Sequence, residues 1–262
     1  MGSIGHGENY ILDSTVNTSC FGYRMATPSI PESLSVQTLR LQRWAQELAS
    51  QVPSTVQLDG FDISDEQFPN QSSLPTNMSL SVMDAFAEVP EKHRGKYDVV
   101  HMRLWCAVVQ GGDPSALIRH ATQLLKPGGY LQWEDCDPSP HHMVMKGVEV
   151  EALYSYFSRI HKAFNINHSW LENLPTHTNN AGLEVVQFTM RPFSQSCVPI
   201  VTNSFLMLHI GLLNAAYRAG LPFLPPREEA DNVLAGALDA VKNGGSYHYT
   251  TLALLAQKPL SS

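Results

Sequence analysis

The chain has 262 residues, 43% of them apolar and only 16% charged, with a net charge of −7 at pH 7. An average soluble protein carries about 25% charged residues, so much apolar surface is expected to face inward or toward a partner. The negative sign and the lack of any Lys/Arg cluster argue against a nucleic-acid backbone or an anionic membrane as the main partner.

Residues 1–30 lack regular pattern and are rich in Ser, Thr, Asn, Gly and Pro, which predicts an extended arm. Residues 31–262 are expected to form one α/β domain. From Ser35, the residues Leu39, Leu41, Trp44, Leu48 and Ala49 recur at helical spacing until Pro53. Alternation predicts strands at Val56–Ile63 and Met78–Met83, and a more apolar, central strand at Tyr97–Met102. A helix over Pro114–Leu125 is capped by Asp113, and Pro127-Gly128-Gly129 turns the chain into a strand at Tyr130–Trp133. Further on come a helix at Val148–Phe164, a strand at Leu183–Met190, helices at Ile200–Ala219 and Glu228–Lys242, and a closing strand at Tyr247–Ala256. Alternating strands and helices imply a mostly parallel sheet with helices on both faces. Residues 200–242 read as a late helical insertion.

Cys20, Cys106, Cys136 and Cys197 form no C-x-x-C pair and have no zinc-site spacing, so free thiols in a reducing compartment are expected. The start, Met1 to His6, has no apolar signal core, and the stretch Phe205–Tyr217 is interrupted by His209 and Asn214. A soluble cytoplasmic protein is the expectation. His141-His142 has no third ligand at good spacing, and no metal is expected.

Ligands of open parallel sheets bind beyond the carboxyl ends of the strands. Asp62 and Asp84 stand at two such neighbouring ends. A carboxylate only accepts, which suits the ribose hydroxyls of a nucleoside at the first position and the adenine amine at the second. Taken singly, each Asp is more readily a loop starter. The ordered series Val56-Gln-Leu-Asp-Gly-Phe-Asp-Ile-Ser64, Ser81-Val-Met-Asp-Ala85, Lys96-Tyr-Asp-Val-Val-His-Met-Arg103 and Leu124-Leu-Lys-Pro-Gly-Gly-Tyr-Leu-Gln-Trp-Glu134 is similar to the class I S-adenosylmethionine-dependent methyltransferases. Within these it resembles the small-molecule methyltransferases of fungal secondary metabolism. The likeness is good over residues 28–136 and loose beyond.

The resemblance implies a Rossmann-like, seven-stranded fold and S-adenosylmethionine as cofactor. It places Asp62 and Ile63 near the ribose and Asp84 with Ala85 near the adenine. Met102 and Arg103 fall where such enzymes contact cofactor or substrate. His101 is a weak candidate for a general base, and a single His at such a place is more often a hydrogen-bonded structural residue. Trp105 can line a substrate pocket or pack the core, and Trp133 reads as core. Glu134, Asp135 and Asp137 read as a solvated loop.

One departure bears on activity. Family members end their first strand in a glycine-rich turn, because backbone amides must approach the methionine part of the cofactor closely. Here the corresponding stretch, Ser35 to Trp44, contains no glycine and no acidic residue. Thr18 to Arg24 also leaves little room for the usual helical lead-in. Two enzymatic readings follow: a methyltransferase, or a methyltransferase-like protein without methyl transfer that acts as a cyclase, isomerase or flux-directing accessory. A third is a purely structural partner, for example an inactive subunit that pairs with an active homologue; separately, a homodimer is one expected assembly.

Overall fold

The alternation of apolar and polar residues sets the strands, and the fold joins four of the early ones as two parallel pairs. The structure is a computed structural model that describes residues 47–53, 55–65, 68–163, 165–218, 220 and 224–260. The expected arm and most of the helix from Ser35 lie outside these residues; residues 47–51 are helical. Strand β1 (Leu58–Asp62) pairs in parallel with β2 (Met78–Val82), from Leu58 opposite Met78 to Asp62 opposite Val82. Gly60 in mid-strand is needed by a close approach. A Cβ there would stand 2.5 Å from Leu80 Cδ2.

The second unit begins at β3 (Tyr97–Arg103). Helix α1 (Ser115–Leu124) crosses over from it to β4 (Leu125–Asp137), which runs parallel to β3. Such a pair cannot be joined by a tight hairpin. Asp113 Oδ1 accepts the Ser115 N–H at 2.9 Å and caps α1, while Leu117, Ile118, Ala121 and Leu124 form its buried face. The Lys126–Gly129 stretch bulges out of the ladder, so Tyr97 pairs with Leu125 but Val99 with Tyr130. Gly128 sits at φ +79°, and Gly129 lies against the carbonyls of Lys126 and Tyr97, where a Cβ would come within 3.0 Å of both.

The remaining elements are β5 (Met143–Lys146), α2 (Val148–Ala163), α3 (Leu174–Asn180), β6 (Glu184–Pro192), α4 (Val198–Arg218), α5 (Arg227–Lys242) and β7 (Ser246–Gln257). Strand β7 runs antiparallel to β4, β5 and β6, so the five-stranded sheet is mixed where the alternation of elements suggested mostly parallel. The reason is connectivity. The long α4–α5 excursion ends in Asn243-Gly244-Gly245 and sends the last strand back between its neighbours. Short β5 and α3 had no sequence expectation.

The main core holds Ile118, Leu131, Trp133, Trp170, Leu252 and Leu254 between sheet and helices. A smaller core of Leu153, Phe157, Leu206, Leu213 and Leu234 joins α2, α4 and α5. Helix α4 is long and apolar enough to cross a membrane by length and composition. Its Val201, Phe205, Leu206 and Leu213 are instead buried inside the protein. Among the described residues the sheet falls into two hydrogen-bonded parts, β1–β2 and β3 to β7. Side chains join them. Tyr97 O–H donates to Asp59 Oδ2 at 3.0 Å, and the Phe61 ring packs edge-on to His93 and Tyr97.

Candidate functional site

Asp62 closes β1, and the Met83 N–H donates to its carbonyl at 2.8 Å, carrying the ladder one step past Val82. This fixes Asp62 and Asp84 at the adjoining carboxyl ends of a parallel pair. Asp62 Oδ1 accepts the Ser64 N–H at 3.3 Å. Burial raises its carboxyl above the usual range, and the N–H groups of Ser64 and Ile63 oppose that rise. Asp84 is exposed, and its Oδ1 accepts the Phe86 N–H at 2.8 Å. The turn so ordered carries Ala85 onto the main core. Beyond it the Ala87 carbonyl meets the His120 ring at 3.0 Å, and the Phe86 ring lies 6.1 Å from that of Trp105. The segment after β2 therefore spans to α1 and to the end of β3.

On β3, side chains alternate between faces. Met102 is buried in the main core. His101 and Arg103 take the other face, opposite Gln132 and Glu134 of β4. Arg103 Nε lies 3.5 Å from Glu134 Oε2, and Gln132 Nε2 donates to Glu134 Oε1 at 3.1 Å. Burial pushes His101 down to about 4, with Arg103 adding to the fall and Glu134 and Gln132 opposing it. His101 is therefore neutral near pH 7. The structure thus groups His101 and Arg103 in one polar row, separates Met102 from them, and keeps Asp62 with Asp84 on the other sheet.

After Arg103 the chain turns sharply, with Leu104 in the left-handed region at φ 57°. A clamp holds the next residues. Asp135 Oδ2 accepts the Trp105 N–H at 2.9 Å and the Trp133 indole N–H at 3.0 Å. Its Oδ1 accepts the N–H groups of Cys106 at 3.3 Å and Cys136 at 2.9 Å. Asp135 is 3% exposed and Asp137 1%, so neither belongs to a solvated loop. Strand β4 continues through both, and they follow Leu131 and Trp133 on the inward face. Trp105 and Trp133 are both buried.

Beyond the end of β4 lies a cavity of about 300 Å³, lined among others by Pro138, Ser139, Tyr154, His161, Lys162 and His168. An antiparallel bridge between Gln110 and Ile166 ties its far wall to the segment after β3. The His161 and His168 rings meet edge-on, 5.3 Å apart. Burial and the neighbouring His168 push His161 down to about 4, and burial lowers His168 as well. Two neutral imidazoles beside a phenol and hydroxyls suit a polar, uncharged or acidic small molecule. Sequence spacing did not single out His161 or His168 as pocket residues. They are brought together by the turn between α2 and α3.

The fold also supplies a neighbour that spacing did not. Glu172 Oε1 lies 2.5 Å from His142 Nε2, across a separation of 30 residues.

A family model described as "Methyltransferase domain" matches residues 41–187, more than half of the chain. Methyltransferase grgD of a Penicillium species is 33% identical over 133 residues, covering 41% of this chain and 46% of the relative. N-methyltransferase tcpN of Claviceps purpurea is 39% identical over 90 residues, covering 34% of this chain and 32% of the relative. The chain thus spans less than half the length of these curated relatives. Among solved structures, one described as a "putative sarcosine dimethylglycine methyltransferase" from Galdieria sulphuraria aligns at 17% identity and a TM-score of 0.43, over 85% of this chain and 86% of its own.

Proposed function

The chain belongs to the methyltransferase-domain family, and on that footing we propose that it is an S-adenosylmethionine-dependent methyltransferase acting on a small molecule of fungal secondary metabolism. The carrying observation is the pair of carboxylates, Asp62 and Asp84, at adjoining ends of the parallel pair β1–β2. A carboxylate has roughly four acceptor sites, and the N–H groups of Ser64 and Ile63 still leave Asp62 room for a vicinal diol. The exposed Asp84 can accept an exocyclic amine. These residues fit the nucleoside half of the cofactor. When bound, S-adenosylmethionine supplies an electrophilic methyl group. The chain's own contribution is positioning: Asp62 and Asp84 hold the nucleoside, while the cavity beside His161 and His168 orders the acceptor.

A second reading is favoured by the interruption of the ladder between β1 and β3 among the described residues. In it, the same cavity orders a reactive metabolite for cyclisation or isomerisation without methyl transfer. Calorimetry with S-adenosylhomocysteine separates the two. The methyltransferase reading expects binding that Asp62→Ala weakens about tenfold or more, the loss of at least one hydrogen bond to a charged acceptor. No heat at about 1 mM ligand, where a barely useful affinity is already about −4 kcal/mol, overturns it.

A further inference from the structure

We propose that His141, His142, Glu172 and Asp137 form a binding site for a zinc-class divalent cation. The site sits at the end of β4, beside the cavity and apart from the carboxylates of β1 and β2.

The two histidines follow β4 in a single 3-10 turn, Pro140–His142. Their Nε2 atoms converge on Glu172 Oε1, at 3.8 Å from His141 and 2.5 Å from His142. The ligand atoms of all three residues lie within 4.8 Å of one another. Asp137 comes from below. It is 1% exposed, and its Oδ1 is used by the Ser139 backbone N–H at 2.8 Å and by the Ser139 hydroxyl. Its Oδ2 is buried without a hydrogen-bond partner and stands 3.7 Å from His142 Nε2. That distance is too long for a hydrogen bond. Leaving a carboxylate oxygen buried and unmatched is costly, and such an oxygen calls for a positive partner.

Geometry favours an ion as that partner. Ligands held about 2.0–2.2 Å from a tetrahedral zinc ion stand roughly 3.3–3.6 Å apart. The separations of 3.7 and 3.8 Å contract slightly, and Asp137, which lies outside the 4.8 Å group of the other three, closes on the ion last, through its approach beside His142. The 2.5 Å contact between His142 and Glu172 is a hydrogen bond that opens as the ion enters. Two imidazole nitrogens with two carboxylates suit zinc and its first-row neighbours. Magnesium and calcium prefer oxygen alone.

Another cluster, Cys106, Asp135 and Cys136, is also compact. There the carboxylate already accepts four N–H groups, so it has no lone pair to offer. At the Asp137 site the scaffold is fixed from outside. His142 N–H bonds the Ser139 carbonyl at 2.9 Å, and the Thr250 hydroxyl bonds the His142 carbonyl at 3.3 Å. An ion here ties the segment after β4 to the loop before α3. Both segments wall the cavity, through Pro138 and Ser139 on one side and His168 on the other.

The test uses the full chain, freed of metal by a chelator and titrated with Co2+, whose visible absorption reports tetrahedral coordination. The expected result is one Co2+ per chain, displaced by Zn2+, with a melting temperature raised by Zn2+. His142→Ala and Glu172→Gln each weaken Co2+ binding by about tenfold or more. His141→Ala does the same at a largely exposed position, where loss of folding does not confuse the result. Absence of Co2+ binding at about millimolar concentration, the weak limit of useful affinity, overturns the proposal. So does wild-type binding by a folded His142→Ala/Glu172→Gln double variant. Neither readout depends on methyl transfer.

Discussion

Replacing Asp135 by Asn tests whether the end of β3 is held by one buried carboxylate. In the wild-type protein two N–H donors meet each oxygen, at distances from 2.9 to 3.3 Å. An amide keeps one oxygen and presents an NH2 group to the other pair of donors. Two buried N–H groups then lose their acceptor, at about 1–3 kcal/mol each, while the neutral amide escapes the cost of burying a charge, so a net loss of about 1–3 kcal/mol is expected at pH 7. This is a large share of the roughly 5–15 kcal/mol that stabilises a typical domain. The variant should still fold but with a clearly lower urea midpoint, read by circular dichroism. The pH dependence has a definite sign. Burial raises the Asp135 carboxyl to about 6 from 3.8, against the pull of its N–H donors. Its ionisation therefore favours the unfolded chain as pH rises through 6, and stability from this group is complete only below its unfolded value. Asn removes that dependence, so the gap between wild type and variant widens from pH 7 to pH 5. A loss under about 1 kcal/mol, less than one unmatched donor costs, would refute the account of the clamp.

Burial lowers His209, stacked on Phe157 with ring centroids 3.9 Å apart, from 6.5 to about 3. A lowered folded value means stability present above 6.5 and lost as pH falls, by about 1.4 kcal/mol per unit, so His209→Leu should shift acid unfolding to lower pH. An unmoved acid midpoint would contradict this. Gly129→Ala places a methyl group 3.0 Å from the backbone carbonyls of Lys126 and Tyr97. A destabilisation of about 1–3 kcal/mol follows, because backbone at both sides must shift. An unchanged thermal midpoint would show that the turn is slack.

Local chemistry wrote much of this fold openly. Asp113 and Pro114 announced the start of α1, and Lys126-Pro127-Gly128-Gly129 its end, because caps and positive φ leave few residue choices. The alternation at Val56 and Met78 fixed the strands that carry Asp62 and Asp84. Strand β4 was read short, at Tyr130–Trp133, because Glu134-Asp135-Cys136-Asp137 is polar. Its inward rhythm was nonetheless present: Leu131, Trp133, Asp135 and Asp137 recur at every second position. Polarity hid a strand whose carboxylates are buried against N–H donors rather than water. The pairing of His142 with Glu172 lay beyond any periodicity. It depends on how the turn after α2 docks against the end of β4, a tertiary fact with no local signature.

The position of the two candidate sites follows from the divided sheet. The proposed nucleoside corner belongs to β1–β2, whereas the cavity belongs to β4, α2 and the turn before α3. No ladder among the described residues joins these parts. Their alignment rests on a few side-chain contacts: Tyr97 with Asp59, Phe61 with His93, the Phe86 ring with Trp105, and His120 with the Ala87 carbonyl. Transfer between a bound donor and an acceptor is steep in distance, since misplacement by about 1 Å can cost a hundredfold in rate. Backbone ladders hold such distances by many bonds in register, but side-chain bridges hold them by one or two. The Asp135 clamp then matters beyond stability. By fixing Trp105 at the end of β3, it fixes the ring against which Phe86, and with it the Asp84 turn, is placed.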